Sequence, residues 1–198
     1  MKKGTLAIVA LFLLFGVYGC NSYNGLVGKE TTVQDLWAKV QTQYQRRADL
    51  IGNLVKTVQG AADFEKSTLT EVIQARSAAT QIKLDANDLT PENMAKYQAA
   101  QDQLSGSLSR LLVSVEQYPQ LKANQNFLEL QAQLEGTENR ISVARDNFNT
   151  GVKDYNLSVK TFPTNIMAKI FGFAEKAFFE ATAASQNAPD INFDFGKK

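Results

Sequence analysis

Histidine is absent from the 198 residues. With it go the commonest general base, the commonest neutral metal ligand and the side chain that titrates unperturbed between pH 5 and 8. A single cysteine, Cys20, excludes an internal disulfide and a cysteine-based zinc cluster. Proline stands only at positions 91, 119, 163 and 189, so little in the chain interrupts a helix. Neither sign of charge dominates, with 21 Lys+Arg against 20 Asp+Glu. Nucleic acid is therefore not an expected partner, because its phosphates demand clustered basic residues. There is no phosphate-cradling loop, no glycine-rich dinucleotide turn and no Gly-x-Ser-x-Gly elbow. Glu135 and Glu138 lie one turn apart but lack the histidines of a di-metal Glu-x-x-His site. The chain reads as non-enzymatic, with no catalytic residue, no metal site and no cofactor.

What is present begins with one apolar run. After Lys2 and Lys3, residues 6–17 (LAIVALFLLFGV) are continuously apolar, the length of a signal-peptide core. Counted from Gly4 to Gly19 the run remains short for a spanning helix, which needs about 20 residues at 1.5 Å each. Val17-Tyr18-Gly19-Cys20 resembles a bacterial lipobox, with small Gly19 before the cysteine and a bulky Tyr18 departing from the pattern. Residues 1–20 thus read as a signal peptide ending in a lipidated Cys20, with an uncleaved membrane anchor as the alternative. In both readings the lysines stay inside and the rest of the chain goes to the outer face of a membrane.

Residues 21–30 read as a tether. Beyond them the apolar period is helical. The spacing predicts a first helix from Thr31 to Val58 on a stripe including Val33, Val40, Leu50, Leu54 and Val58. A second is expected from Asp63 to Leu84, with Leu69, Val72, Ile73, Ala79 and Ile82 inward. Thr90 and Pro91 supply a cap and a first-turn proline for a third. Its seam, Met94, Tyr97, Gln101, Leu104, Leu108, Leu111, Val115 and Tyr118, keeps the 3,4 heptad spacing. The fourth runs from Asn124 towards Pro163 through Phe127, Leu134, Ile141, Phe148, Val152, Tyr155 and Phe162. The predicted fold is all-α: an antiparallel up-and-down four-helix bundle over residues 31–163. A short amphipathic helix over 164–184 and a flexible tail over 185–198 complete it. The helix at 164–184 carries four phenylalanines and reads as a fifth packed helix or as a contact with lipid or a partner helix.

Charged residues interrupt these seams. The heptad through Val33 and Val40 lands on Arg47, Leu69 plus seven lands on Arg76, and Glu138 with Arg145 falls beside the stripe of the fourth helix. A buried, unpaired charge costs several kcal/mol. Arg47, Arg76, Glu138 and Arg145 are thus expected to form a buried charge network, or else to line a pocket for an anionic ligand. Asn149 and Asn156 are seven residues apart on one helix face, either solvated or bonded to a neighbouring element.

Four stretches then carry a resemblance. YNGLV, LWAKVQTQYQRRADLIGNLVKTVQG, YPQLKANQNFLELQAQLEGTENRISVARDNFN and FPTNIMAKIFGF…FFEA, in order over residues 23–181, resemble the LemA family of bacterial membrane-associated proteins. Gly52 departs from it, standing where the family usually has proline. The resemblance implies an N-terminally anchored, outward-facing helical bundle. It brings no catalytic residues, and its members' frequent encoding near membrane proteases and envelope proteins implies an accessory role. The leading functional expectation is a scaffold or adaptor for envelope proteins. The alternatives are a receptor for a small anion and a lipid-contacting protein acting through its C-terminal aromatic helix. The pattern leaves the oligomeric state open.

Overall fold

Local start signals act where the sequence places them. The Asn93 amide donates to Thr90 Oγ1 at 3.3 Å, and the Phe127 amide to Asn124 Oδ1 at 3.2 Å, each capping a helix N-terminus. The computed structural model describes residues 3–60 and 64–180. It is all-helical, with α1 Lys3–Gln59, α2 Lys66–Gln81, α3 Pro91–Val115, α4 Pro119–Lys122, α5 Gln125–Lys160 and α6 Thr164–Phe171. No strand occurs among the described residues.

The heptad seams form the core. Every predicted seam residue of α3 from Met94 to Val115 is buried, Gln101 included. Towards the C-terminal end of α1, Leu50, Leu54 and Val58 pack with Leu69, Val72, Leu108, Leu111 and Leu134. A second cluster joins Val33, Trp37 and Val40 of α1 to Tyr97, Ile141, Phe148 and Tyr155. Trp37 makes tilted or edge contacts with Tyr97 and Phe148 at 5.2 and 5.4 Å between ring centroids. Full burial of such a side chain stabilises by roughly 1.5–3 kcal/mol before the entropy of ordering it.

Partners along α1 and α5 run in opposite directions, Lys29 with Ser158 and Arg47 with Glu138, and Tyr18 of α1 meets Thr164 at the start of α6. Gly151 of α5 faces Leu36 of α1. A Cβ there would lie 2.5 Å from Leu36 Cδ1, so any residue but glycine would have to turn Leu36 aside. Helices α2 and α3 also run oppositely, with Glu71 bonded to Arg110 and the Ala79 carbonyl to Gln101.

Four expectations change. The tether at 21–30 is helical, a continuous part of the 57-residue α1. Gly25 and Gly28 each cost about 1 kcal/mol of helix propensity, yet Leu26 is buried and Tyr23 packs on Phe171 and Phe173, so tertiary contact prevails. The helix expected at 164–184 ends at Phe171. Gly172 takes a left-handed φ of 78°, and the amide of Phe173 closes on the Ala168 carbonyl. Residues 173–180 then run without helical structure along the bundle of helices, and 181–198, including the expected tail, lie outside the described residues. Ile73 and Phe162 are exposed rather than inward. The second helix begins at Lys66 and ends at Gln81, short of Leu84, whose carbonyl accepts from Trp37 Nε1 and Gln41 Nε2 and so holds the chain out of helix.

Candidate functional site

Arg47 enters the interior because its place on the α1 stripe leaves it nowhere else to go. It is 2% exposed. Nη1 donates to Glu138 Oε1 at 3.0 Å and to Ser105 Oγ at 2.8 Å, while Nη2 donates to the carbonyl and the side-chain oxygen of Gln101. The guanidinium also lies 4.9 Å over the Tyr44 ring. Gln101, the polar break in the α3 seam, is therefore the acceptor that a buried guanidinium requires. Glu138 keeps 43% of its side chain in solvent, so this is a buried cation paired at the edge of the core.

Arg76 and Arg145 are held elsewhere. Arg76 Nε donates to the Ala48 carbonyl at 2.6 Å and its Nη2 lies 4.0 Å from Asp49. Its guanidinium rests on Gly52, where a Cβ would come within 3.3 Å of it. Arg145 donates to the Glu180 carbonyl at 3.1 Å and lies 4.7 Å over the Phe179 ring. Of the four charged seam residues, only Arg47 and Glu138 are brought into direct contact. Burial pushes the Asp102 carboxyl up despite the opposing pull of Arg145 and Arg47. Burial likewise raises the phenols of Tyr44 and Tyr97.

A polar cavity of about 520 Å³ opens between α1, the end of α2 and α3. Gln34, Trp37, Gln41, Tyr44 and Gln101 line it, and none of the four charged seam residues does. Among the described residues no cluster of three or more carboxylate or thiol groups could hold a metal ion.

The densest polar constellation lies over α5 and α3, where residues 173–180 cross as a strap. Asn156 Nδ2 donates to the Lys176 carbonyl at 2.8 Å and its Oδ1 accepts from the Lys176 amide at 2.9 Å. Asn149 does the same with Phe179, at 3.1 and 2.9 Å. Gln98 repeats the arrangement with Glu180, at 2.9 and 3.3 Å. Tyr155 Oη donates to the Ala174 carbonyl at 2.9 Å. Burial, with Glu30 adding to it, pushes that phenol up to about 12. Two strap side chains are buried. Lys176 bonds Glu30 at 2.9 Å and the Ala86 carbonyl at 3.2 Å, and Phe179 stacks on Trp37 and meets Phe148 edge-on. The sequence marks Asn149 and Asn156 by their heptad spacing. Gln98 and Lys176 carry no such mark, because the one bonds an extended backbone and the other lies in it, and no periodicity announces such a segment.

Cys20 is exposed, in mid-helix. The residue before it, Gly19, is buried, and a Cβ there would meet Met167 Sδ at 3.6 Å. Tyr18 Oη lies 3.1 Å from Thr164 Oγ1.

Comparison with known proteins gives these helices a family. Protein LemA of Metamycoplasma hominis is 25% identical over 175 residues, a match covering 88% of this chain and 76% of that protein. Magnetosome protein MamQ 2 of Paramagnetospirillum magneticum is 25% identical over 183 residues, covering 82% of this chain and 66% of the relative. Magnetosome protein MamQ of Magnetospirillum gryphiswaldense is 25% identical over 179 residues, with the same coverage. The match thus reaches just under two thirds of the length of these magnetosome proteins. The LemA family pattern itself matches residues 36–193, from the core half of α1 through the strap and beyond. Over that span, which is most of its length, the chain belongs to the LemA family.

Proposed function

We propose that this chain is a membrane-anchored, non-enzymatic adaptor. Helices α1, α2, α3 and α5 act as one antiparallel four-helix bundle on the outer face of a membrane, presenting their sides to other envelope proteins. The observation that carries the reading is the division of labour along α1. Its first part exposes Leu11, Phe12 and Leu14, and its later part supplies Val33, Trp37 and Val40 to the core. Among the described residues, α1 alone is long and apolar enough to cross a membrane. A helix without a break transmits position and orientation from the bilayer to the bundle, which a flexible tether would not.

The packing of Tyr18 and Gly19 against α6 favours the uncleaved anchor over removal of residues 1–19. Cleavage before Cys20 would strip α6 of these contacts. The adaptor reading is tested in cells by a photoreactive residue at Val143. This exposed apolar position lies beside Leu36 and Arg140 in a shallow cavity of about 390 Å³ between α1 and α5. A discrete adduct with another envelope protein is expected. Adducts no different from those of an unrelated anchored protein would contradict the reading.

A second role, contact with lipid, is favoured by α6. Ile166, Ile170, Phe171 and the preceding Phe162 are exposed. Phe162, Pro163, Ile166 and Met167 form an apolar cleft of about 500 Å³ with Leu11, Phe12, Leu14, Phe15 and Tyr18 of α1. The apolar face of α6 thus sits level with the end of the apolar run, where an interfacial helix buries itself at the headgroup boundary. Loss of liposome-dependent protection of α6 from proteolysis in an Ile170→Asp variant is the expected result. Unchanged protection would contradict this role.

A further inference from the structure

The strap is held in the manner of a bound peptide. Residues 173–180 have no secondary structure of their own. Asn156, Asn149 and Gln98 each give one side-chain amide to both the N–H and the carbonyl of a strap residue. The Ala177 amide donates to the Leu89 carbonyl at 2.8 Å. Contacts of this kind read backbone, not sequence, and leave specificity to whichever side chains enter pockets. Here those are Lys176 and Phe179, the two buried residues of the strap, while their neighbours Glu175, Phe178 and Glu180 are exposed.

The register has a physical basis. Asn149 and Asn156 are seven helical residues apart, about 10.5 Å at 1.5 Å each. Phe179 and Lys176 are three extended residues apart, about 10 Å at 3.3–3.4 Å each. The same step recurs on α1, where Glu30 pairs with Lys176 and Trp37, seven residues on, stacks on Phe179. Two helices thus present partners at the repeat of every third residue of an extended chain. The groove is also wider than its occupant. A cavity of about 590 Å³ remains on the α3 side, between Met94, Ala95 and Asp102 and the small Ala177.

We infer that the groove over α3 and α5 is a binding site for an extended peptide of another polypeptide. That peptide carries a lysine and, three residues later, a phenylalanine, and it displaces the strap from the groove. Gly172, at φ 78°, is the point where the strap leaves α6. A residue larger than alanine directly after the lysine fills the cavity beside α3. This inference names the surface that the adaptor would use, and it rests on that reading for its biological role only.

The test uses the full-length chain in detergent micelles and fluorescein-labelled peptides with the strap sequence GFAEKAFFE. Ala177→Pro in the chain removes the bond to Leu89 and weakens the resident strap without touching a groove residue. Fluorescence anisotropy should show this variant binding the peptide at least about tenfold more tightly than the wild type, since the competitor in cis is weakened. With the strap disabled by Ala177→Pro and Phe179→Ala together, so that it no longer competes, adding Asn149→Ala and Asn156→Ala should cost at least about tenfold, for four hydrogen bonds lost. A peptide with leucine in place of the alanine after lysine should bind better, and one with alanine in place of that lysine and of the last phenylalanine, the counterpart of Phe179, should bind far worse. Circular dichroism and Trp37 emission establish that each variant is folded, and Phe179→Ala serves as a second strap variant if Ala177→Pro is not. Absence of peptide binding by a folded strap variant, or binding indifferent to Asn149 and Asn156, would overturn the inference. Peptide binding without any cross-linked partner in cells would contradict the adaptor and keep the groove. A cross-linked partner without peptide binding would do the reverse.

Discussion

Arg47 and Glu138 meet at 3.0 Å across α1 and α5, one with 3% and the other with 43% of its side chain in solvent. The asymmetry sets the prediction. Arg47→Ala strands Gln101 and Ser105 and removes the pair, costing about 3 kcal/mol or more. Glu138→Gln keeps an acceptor oxygen and costs about 1 kcal/mol. Denaturant unfolding of both single variants and the double should show the two costs to be non-additive. Independent costs would mean that the pair is incidental.

At Gly151 the α1–α5 approach leaves no room for a Cβ, whereas nothing stands within 4 Å of the Cβ position at Gly28. Gly28→Ala should therefore stabilise by about 1 kcal/mol through helix propensity alone. Gly151→Ala gains the same but must turn Leu36 aside at about 2 kcal/mol, for a net loss near 1 kcal/mol. Opposite shifts of the melting temperature check this contrast, and shifts of the same sign would contradict the packing.

Gly52 makes a different case. The atoms that crowd a Cβ there are the end of the Arg76 side chain, which is 39% exposed and free to swing outward. Gly52→Ala should be close to neutral in the wild type, with propensity offset by the displaced bond to Ala48. In an Arg76→Ala background it should stabilise by about 1 kcal/mol. Equal effects in both backgrounds would show that Arg76 does not rest on Gly52.

Much of this was legible in the chain. The α3 seam, the cap at Thr90, the start of the fourth helix near Asn124 and the place of Arg47 on the α1 stripe all follow from local signals and periods that a helix imposes on its own sequence. The glycines of residues 21–30 speak locally for a tether, while the burial of Leu26 depends on α1 meeting distant parts of the chain. Phe173, Phe178 and Phe179 fit an amphipathic face, so local pattern alone predicts helix where the strap runs. What straightens it is a set of amides up to 82 residues away in sequence. Spacing alone puts Arg145 with Glu138, but in the fold it serves the strap.

The phenol of Tyr155, folded against the Ala174 carbonyl, is pushed up to about 12 by burial and by Glu30, with the Lys176 ammonium 5.6 Å from its ring. The folded value lies above the unfolded value of about 10. Its contribution to stability is thus fully present below pH 10 and is lost as pH rises towards 12. Tyr155→Phe should lower stability at neutral pH by about 1 kcal/mol and make the alkaline decline shallower. The decline that remains belongs to Tyr44 and Tyr97, whose phenols are also raised. Unfolding free energies from pH 8 to 12 check this, and identical slopes would contradict it.

The central claim is that one helix is both anchor and core. Intact mass of the membrane-extracted chain, wild type beside Cys20→Ser, after growth with an alkyne fatty acid, tests it most directly. The account predicts that residues 8–19 remain in both chains, with membrane attachment independent of Cys20. Cleavage before Cys20, with fatty-acid label that the serine variant loses, would contradict it.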